Sequence, residues 1–402
     1  MKFIGIVGSN AELSYNRKLL KFVQKHFKDQ FDLEIFEIDD VPMFDQDEDW
    51  KKSFKLRLLN NKIKRADGVI IATPEHNHTI TAALKSTLEW LSYEVHPFDS
   101  KPVMIIGASY YDQGTSRAQL HLRNILDAPG VNAYVLPGNE FLLGKAKEAF
   151  DENDAIKDPR TVAFLETCVV NFVKYVDVVK NLKKPQPLPK EDLTSGHPIK
   201  TTVTSVDPDD PDWLEKVAKE TKAVSGDTYV KLDAGVLTVD QLNMFLRSMP
   251  FELTYADDNN QFLYYNIDED QDPDSMLAKR VPSQVGNRLS TVHQTLSPQR
   301  MKNVEWVVAT LRSGNQEYVR TLVPGTRKNV INTHHYQAMY YPDGDFAGIN
   351  ELVFNFKPWL DWYLETTGQS LVKNGHAGHP DATTSASQSG EKADANTSAS
   401  EH

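Results

Sequence analysis

Short apolar runs alternate with amphipathic patterns over the first 180 residues of the chain. KFIGIVG (2–8), DLEIFEI (32–38), GVIIATP (68–74), VMIIGAS (103–109) and NAYVLP (132–137) read as strands. Between and after them, residues with helical spacing predict helices over about Asn16–Lys28, Asp49–Lys64, Thr79–Ser92, Ser116–Leu126 and Asp158–Leu182. Five strands alternating with helices imply right-handed crossovers and a parallel sheet covered on both faces. This is a doubly wound α/β domain, expected to occupy residues 1–182.

The pattern then changes. Residues 183–206 carry four prolines and no helical period, which predicts a linker. Helices are expected over Asp212–Lys222 and Val239–Ser248, followed by two strands, FELTYAD (251–257) and QFLYYN (261–266), around a turn at Asp258-Asn259-Asn260. A helix over Gln299–Arg312 and three further strands, EYVRTLV (317–323), NVINTHHYQAMYY (329–341) and FAGINELVFNF (346–356), complete the series. Two strands, helices, then three strands predict an α+β domain on an antiparallel sheet over residues 207–373. From Asn374 onward large apolar residues almost vanish, which predicts a disordered tail over 374–402.

Bulk properties narrow the function classes. At 402 residues the chain suits two well-packed domains. Its net charge of −12 argues against nucleic acid or an anionic membrane as the main partner. With no run of 18 apolar residues, and a first strand too short for a secretory signal, a cytoplasmic protein is expected. The single cysteine, Cys168, lies in an apolar helical pattern and reads as a core thiol, so neither an internal disulfide nor a cysteine metal cage can form.

The strongest chemical signal follows the first strand. Gly8 and Ser9 lead into Asn10, Ser14 and Asn16 just before a helix, which aims N–H groups, hydroxyls and the positive helix end at one point. That arrangement suits a phosphate. Neither the nucleoside-triphosphate loop nor the dinucleotide G-x-G-x-x-G is present. A single terminal phosphate, such as that of a flavin mononucleotide, fits better; an ordinary strand-to-helix turn with Ser14 as N-cap is the alternative.

Three loops together resemble the NADPH-dependent FMN reductase family, which includes quinone, azo-dye and chromate reductases. GSNAELSYN (8–16) is similar to the family's G-S-x-R-x-x-S-x-N, matching at Gly8, Ser9, Ser14 and Asn16. Ala11 stands where the family often has arginine, with Arg17 as the cation that could compensate. PEHNHTITAALKSTLEW (74–90) resembles P-E-Y-N-x-x-x-P-G-x-L-K-N-x-x-D-W, placing Pro74, Glu75, His76 and Asn77 along the flavin ring. The third run, GASYYDQGTSRAQLHLRNIL (107–126), matches at Ser109, Gly114, Arg117 and Gln119; Tyr110 and Tyr111 are either stacking residues or plain surface.

The resemblance implies a flavodoxin-like five-stranded sheet of order 2-1-3-4-5. It further implies FMN as cofactor, NADPH or NADH as electron donor, a small-molecule electron acceptor such as a quinone, and a homodimer or higher homo-oligomer. Chemistry would reside on the flavin, so no catalytic acid, base or nucleophile and no metal ligand is named; donor and acceptor would use one flavin face in turn, giving ping-pong kinetics. Residues 237–356 resemble, more weakly, a PAS domain of hemerythrin-associated proteins. Those relatives carry Cys-His-Pro-Pro where this chain has Val292, His293, Gln294 and Thr295, so only the histidine is kept. The second domain leaves open a different class of function, a sensor or scaffold that binds a small molecule or partner there. His334 and His335 fall in a strand and are expected on opposite faces.

Overall fold

The computed structural model describes residues 1–182, 188–197, 199, 201–267, 273–323 and 329–371. Two compact units emerge, one built on residues 1–186 and the other on 187–340 and the residues after 345.

The first unit alternates strand and helix: β1 (Lys2–Val7), α1 (Tyr15–His26), β2 (Asp32–Glu37), α2 (Phe54–Arg65), β3 (Gly68–Ala72), α3 (Ala82–Tyr93), β4 (Pro102–Ala108), α4 (Ser116–Asp127). Then come β5 (Tyr134–Val135), β6 (Phe141–Leu143), α5 (Ala146–Ala149) and α6 (Pro159–Leu182). The sheet runs β2-β1-β3-β4-β5 and its pairs are parallel. Alternation along each strand sorts the core into two layers. Phe3, Val7, Ile70 and Met104 face α1 and α6, whereas Ile4, Ile6, Val69, Ile71 and Ile105 face α2, α3 and α4. Cys168 is 2% exposed in the first layer, and burial raises its thiol pKa.

The fifth strand differs from the single run expected over NAYVLP. It is split, with β5 pairing the start of β4 and β6 pairing its end, so the sheet has six strands. Pro137 has no N–H to give the ladder and Gly138 takes φ +63, which turns the chain away between the two pieces.

The second unit comprises α7 (Trp213–Thr221), β7 (Tyr229–Leu232), β8 (Gly235–Thr238), α8 (Val239–Arg247), β9 (Glu252–Asp257) and β10 (Phe262–Tyr265). After them come α9 (Leu289–Val292), α10 (Pro298–Arg312), β11 (Tyr318–Val323), β12 (Asn332–Tyr340), β13 (Phe346–Asn355) and α11 (Lys357–Thr367). Its five-stranded sheet has the order β10-β9-β13-β12-β11 with every pair antiparallel, so the unit's first two strands and last three join through the β9–β13 pairing. Val304, Val307, Val308 and Leu311 of α10 form a core with Ala256, Val319, Tyr336 and Ile349 of the sheet. The β7–β8 hairpin and α11 carry no fully buried residue, and the hydrophobic pattern gave no notice of them.

The expected linker is corrected at its centre. Leu193 is 4% exposed in the second core, and the Asn260 amide donates to Asp192 O at 3.1 Å and Ser195 O at 2.8 Å. Arg312 Nε donates to Glu191 at 3.2 Å. This stretch has no backbone period because side chains far along the chain hold it in place. Residues 183–187, 198 and 200, and the tail over 374–402, lie outside the described residues.

Candidate functional site

The carboxyl ends of β1, β3 and β4 are stitched together by short-range contacts between distant residues. Gly8 N donates to Ala72 O at 2.8 Å, and a Cβ on Gly8 would lie 2.8 Å from that oxygen and 3.2 Å from Thr73 Cα. Only glycine permits so close an approach of the two strand ends. Thr81, the N-cap of α3, accepts from Leu84 N at 3.0 Å and donates its hydroxyl to Gly8 O at 2.8 Å. Asn16, 2% exposed, donates its amide to Ala108 O at 3.0 Å and accepts from Ala108 N at 2.9 Å. The first turn of α1 is thereby joined to the end of β4.

Between these ties lie two serines at the head of α1. Ser14 caps α1 by accepting from Arg17 N at 3.3 Å, and Ser9 Oγ accepts from Ala11 N at 3.2 Å. Both serines are buried, and in each case the hydroxyl acts as acceptor and keeps its own proton to donate. The N–H groups of Tyr15 and Asn16 open the 12-residue α1, where no intrahelical acceptor exists for them. Arg17 occupies another role. Its Nε and Nη2 pair with Glu37 at 2.6 and 2.8 Å, and Nη1 donates to Ala11 O and Glu12 O. The guanidinium braces the loop from below, and the Glu37 hydrogen bond raises its pKa despite partial burial.

After β3, Pro74 leads into a tight hairpin. His76 N donates to Thr79 O at 2.9 Å and Thr79 N to His76 O at 3.0 Å, while Asn77 and His78 take φ +50 and +64. Two successive left-handed residues make a primed two-residue turn, which Asn adopts readily. His76, Asn77 and His78 are exposed at its tip. Glu75 turns inward to α4: its Oε2 accepts from Arg117 N at 3.1 Å and Ala118 N at 3.3 Å. Thr115, the α4 N-cap, makes no side-chain capping bond, so Glu75 supplies the cap from another loop. Arg117 Nη1 lies 2.6 Å from His78 Nδ1, which ties the hairpin tip to the same helix.

After β4, Ser109 N donates to Leu143 O at 2.9 Å and Ser109 Oγ accepts from Tyr111 N at 3.2 Å. Gly114 has φ +63, and a Cβ there would lie 2.8 Å from Leu142 Cβ. Tyr110 packs edge-on against Tyr15 with ring centroids 5.2 Å apart, whereas Tyr111 is 77% exposed. The structure thus gathers Ser9, Ser14, Asn16, Pro74 to Asn77, Ser109 and Gly114 at one sheet edge. Sequence reading missed Thr81, although a threonine just before a helical run is an N-cap signal. It also missed Thr115, which packs directly against Gly107.

Similarity to known proteins bears on this edge. The family described as NADPH-dependent FMN reductase matches residues 1–148, and a PAS domain family matches 242–357. The chain is 44% identical over 192 residues to the NADH:(hydroxy)cinnamate reductase subunit CrdA of Vibrio ruber, covering 48% of this chain and 95% of that protein. The chain belongs to the NADPH-dependent FMN reductase family. A second relative in this group, the NADH-dependent flavin reductase subunit 2 of Lactobacillus johnsonii, is 44% identical over 182 residues, 44% of this chain and 98% of that one. Among solved structures, the flavoenzyme NAD(P)H:(acceptor) oxidoreductase FerB of Paracoccus denitrificans is 26% identical, covers 44% of this chain and 97% of that chain, and has a TM-score of 0.41.

Membership makes the first unit an NAD(P)H-dependent FMN oxidoreductase. The residues present fit that cofactor: two buried hydroxyls with free protons, a helix N-terminus and a glycine where the strand ends meet suit a phosphate monoester. No helix among the described residues is long and apolar enough to cross a membrane.

Proposed function

We propose that the chain passes electrons from NADH or NADPH through FMN to a quinone, free flavin, azo compound or similar acceptor by ping-pong kinetics. The observation that carries this is the pair of buried serine hydroxyls at the head of α1, each with its proton uncommitted. When bound, FMN supplies the hydride and electron chemistry, which side chains do not. The chain's own residues bind and orient. Ser9, Ser14 and the N–H groups of α1 take the phosphate, and Asn16 and Arg17 keep that loop in shape. Pro74, Glu75, His76 and Asn77 flank one side of the ring as a hairpin fixed to α4, while Ser109 and Gly114 let the ring approach the backbone. The absence of a separate dinucleotide fingerprint supports donor and acceptor using one open face in turn. A cytoplasmic homodimer or higher oligomer completes this reading.

The test is an anaerobic titration of FMN-loaded protein with NADH and with NADPH, followed by initial rates against quinone at several donor concentrations. Parallel double-reciprocal lines support the proposal. Protein that takes up no FMN and oxidises neither nucleotide with quinone present overturns it.

A second reading rests on the PAS-like unit, whose cavity holds the buried Arg280, His293 and Glu351. Such a unit suits a sensor or scaffold that binds a small molecule and reports to the reductase. Turnover, ligand response and assembly left unchanged after deletion of residues 207–373 would remove its support.

A further inference from the structure

A cavity of about 40 Å³ lies in the second unit between its sheet and the segment α9–α10. Short side chains make it. Val304, with Val307 and Val308 three and four residues later on the same face of α10, forms one wall. Ala256 and Ile349, paired across β9 and β13, form the other. All five are buried. A helical valine keeps one strongly preferred χ1 rotamer and alanine has none to change, so neither the α10 wall nor Ala256 closes the gap by side-chain rotation.

Arg280, Glu351 and His293 also line the cavity, but their polar atoms are paired elsewhere or closed to water. Arg280 Nη2 donates to Glu351 at 3.1 Å and its Nη1 to Lys279 O at 3.1 Å, while Glu351 Oε1 lies 2.9 Å from His334 Nδ1. His293 Nδ1 donates to Leu289 O at 2.8 Å. Burial, reinforced by the positive Arg280, lowers the pKa of that ring to about 4, so it is neutral at pH 7. Arg280 Nε and His293 Nε2 are both buried away from water. The surface that a guest meets is therefore almost entirely carbon.

A water molecule there finds too few of the two to four polar partners it needs. An ion would lose its hydration without gaining a counter-charge, since Arg280 and Glu351 already neutralise one another. A void between packed walls forfeits dispersion contacts, which an apolar guest of matching size recovers. We propose that this cavity binds a small uncharged apolar molecule of up to about three heavy atoms, its volume being about three times what one water requires. Ring-sized cofactors exceed that volume. The inference rests on the sensor reading of the PAS-like unit, whose ligand class it names, and is independent of the reductase reading.

The test uses the full chain with ¹³C-labelled alanine, valine and isoleucine methyl groups, titrated with dissolved xenon and separately with methanol. Both probes are small enough to enter, but methanol brings a hydroxyl that these walls leave unpaired. Xenon is expected to shift the methyl resonances of Ala256, Val304, Val307 and Ile349 along one saturable curve, with methanol binding at least about tenfold more weakly. Ala256→Leu fills the space and should abolish the xenon shifts at Val307 and Ile349; if this variant does not fold, the wild-type comparison still decides. No saturable shift with xenon, methanol bound as tightly as xenon, or a long-lived water cross-relaxing with these methyl groups overturns the proposal. NADH oxidation on the same sample, with FMN and quinone added and with or without xenon, tests the report to the reductase. Failure of the ligand class and failure of the sensor reading are thus separate results.

Discussion

Asn16 and Ser14 stand two residues apart and do different work. Asn16 spends both amide atoms on the backbone of Ala108, 92 residues along the chain, so replacing it by Ala leaves a buried N–H and C=O unpaired. Asn16→Ala should cost about 2 kcal/mol or more, read from the urea midpoint of the first unit. Ser14→Ala removes an N-cap worth about 1 kcal/mol and, on the proposed role, a phosphate contact. FMN affinity should then fall on the order of tenfold or more, measured by quenching of FMN fluorescence. Unchanged affinity would leave Ser14 a cap alone. The motif disclosed both residues, but not that Asn16 is spent on the backbone while the Ser14 hydroxyl keeps its proton, because the partner of Asn16 lies far away in sequence.

At the scale of elements, the site is built from helix starts. α1 is capped by Ser14, α3 by Thr81 and α4 by Glu75 from across the loop. Thr81→Val keeps the shape but loses both the cap and the bond to Gly8 O. A loss of about 1–2 kcal/mol is expected, with weaker FMN binding as the β1 and β3 loops loosen. Glu75→Ala should fray the first turn of α4 at a cost of about 1 kcal/mol, and faster amide exchange at Arg117 and Ala118 would show it. The strand positions of the first unit and the starts of α1, α4 and α6 were readable from the period, whereas α2 and α3 begin at Phe54 and Ala82, later than the expected Asp49 and Thr79. The division of the fifth strand was not readable, because pairing with β4 resumes only after Pro137 and Gly138 have turned the chain.

For the whole molecule, the two units should respond differently to acid. Unfolded histidine titrates near its ordinary value of 6.5, but burial and Arg280 hold folded His293 at about 4. Its burial therefore carries no proton-linked cost above pH 6.5. As pH falls from 6.5 to 4 the unfolded state gains a proton that the folded state refuses, and stability declines by about 3 kcal/mol. Glu351 acts lower down. Against the upward push of its own burial, the His334 hydrogen bond and Arg280 hold its pKa at about 2, so its contribution is present above 4.5 and lost as pH falls from there to 2. Calorimetry at pH 7, 5 and 4 should show the second unit's transition moving down, and His293→Gln should remove the first part of that decline. Two transitions, rather than one, are expected from two compact units.

Periodicity alone determined that the chain is a parallel α/β unit followed by an antiparallel one, because burial on two faces or one stamps itself on every few residues. The loop motif also disclosed Ser9 and Ser14, proposed here to take the phosphate, because their chemistry is local to one turn. Which histidine of the neighbouring pair points inward was decided by register: His334 is fully buried against Glu351, and His335 stacks on Tyr318. The roles of Arg17, Glu75 and the 188–197 segment, and the pairing of Arg280 with Glu351, needed tertiary structure. Each rests on a hydrogen bond between groups apart in sequence, and no local pattern encodes a partner that only folding brings within hydrogen-bond reach.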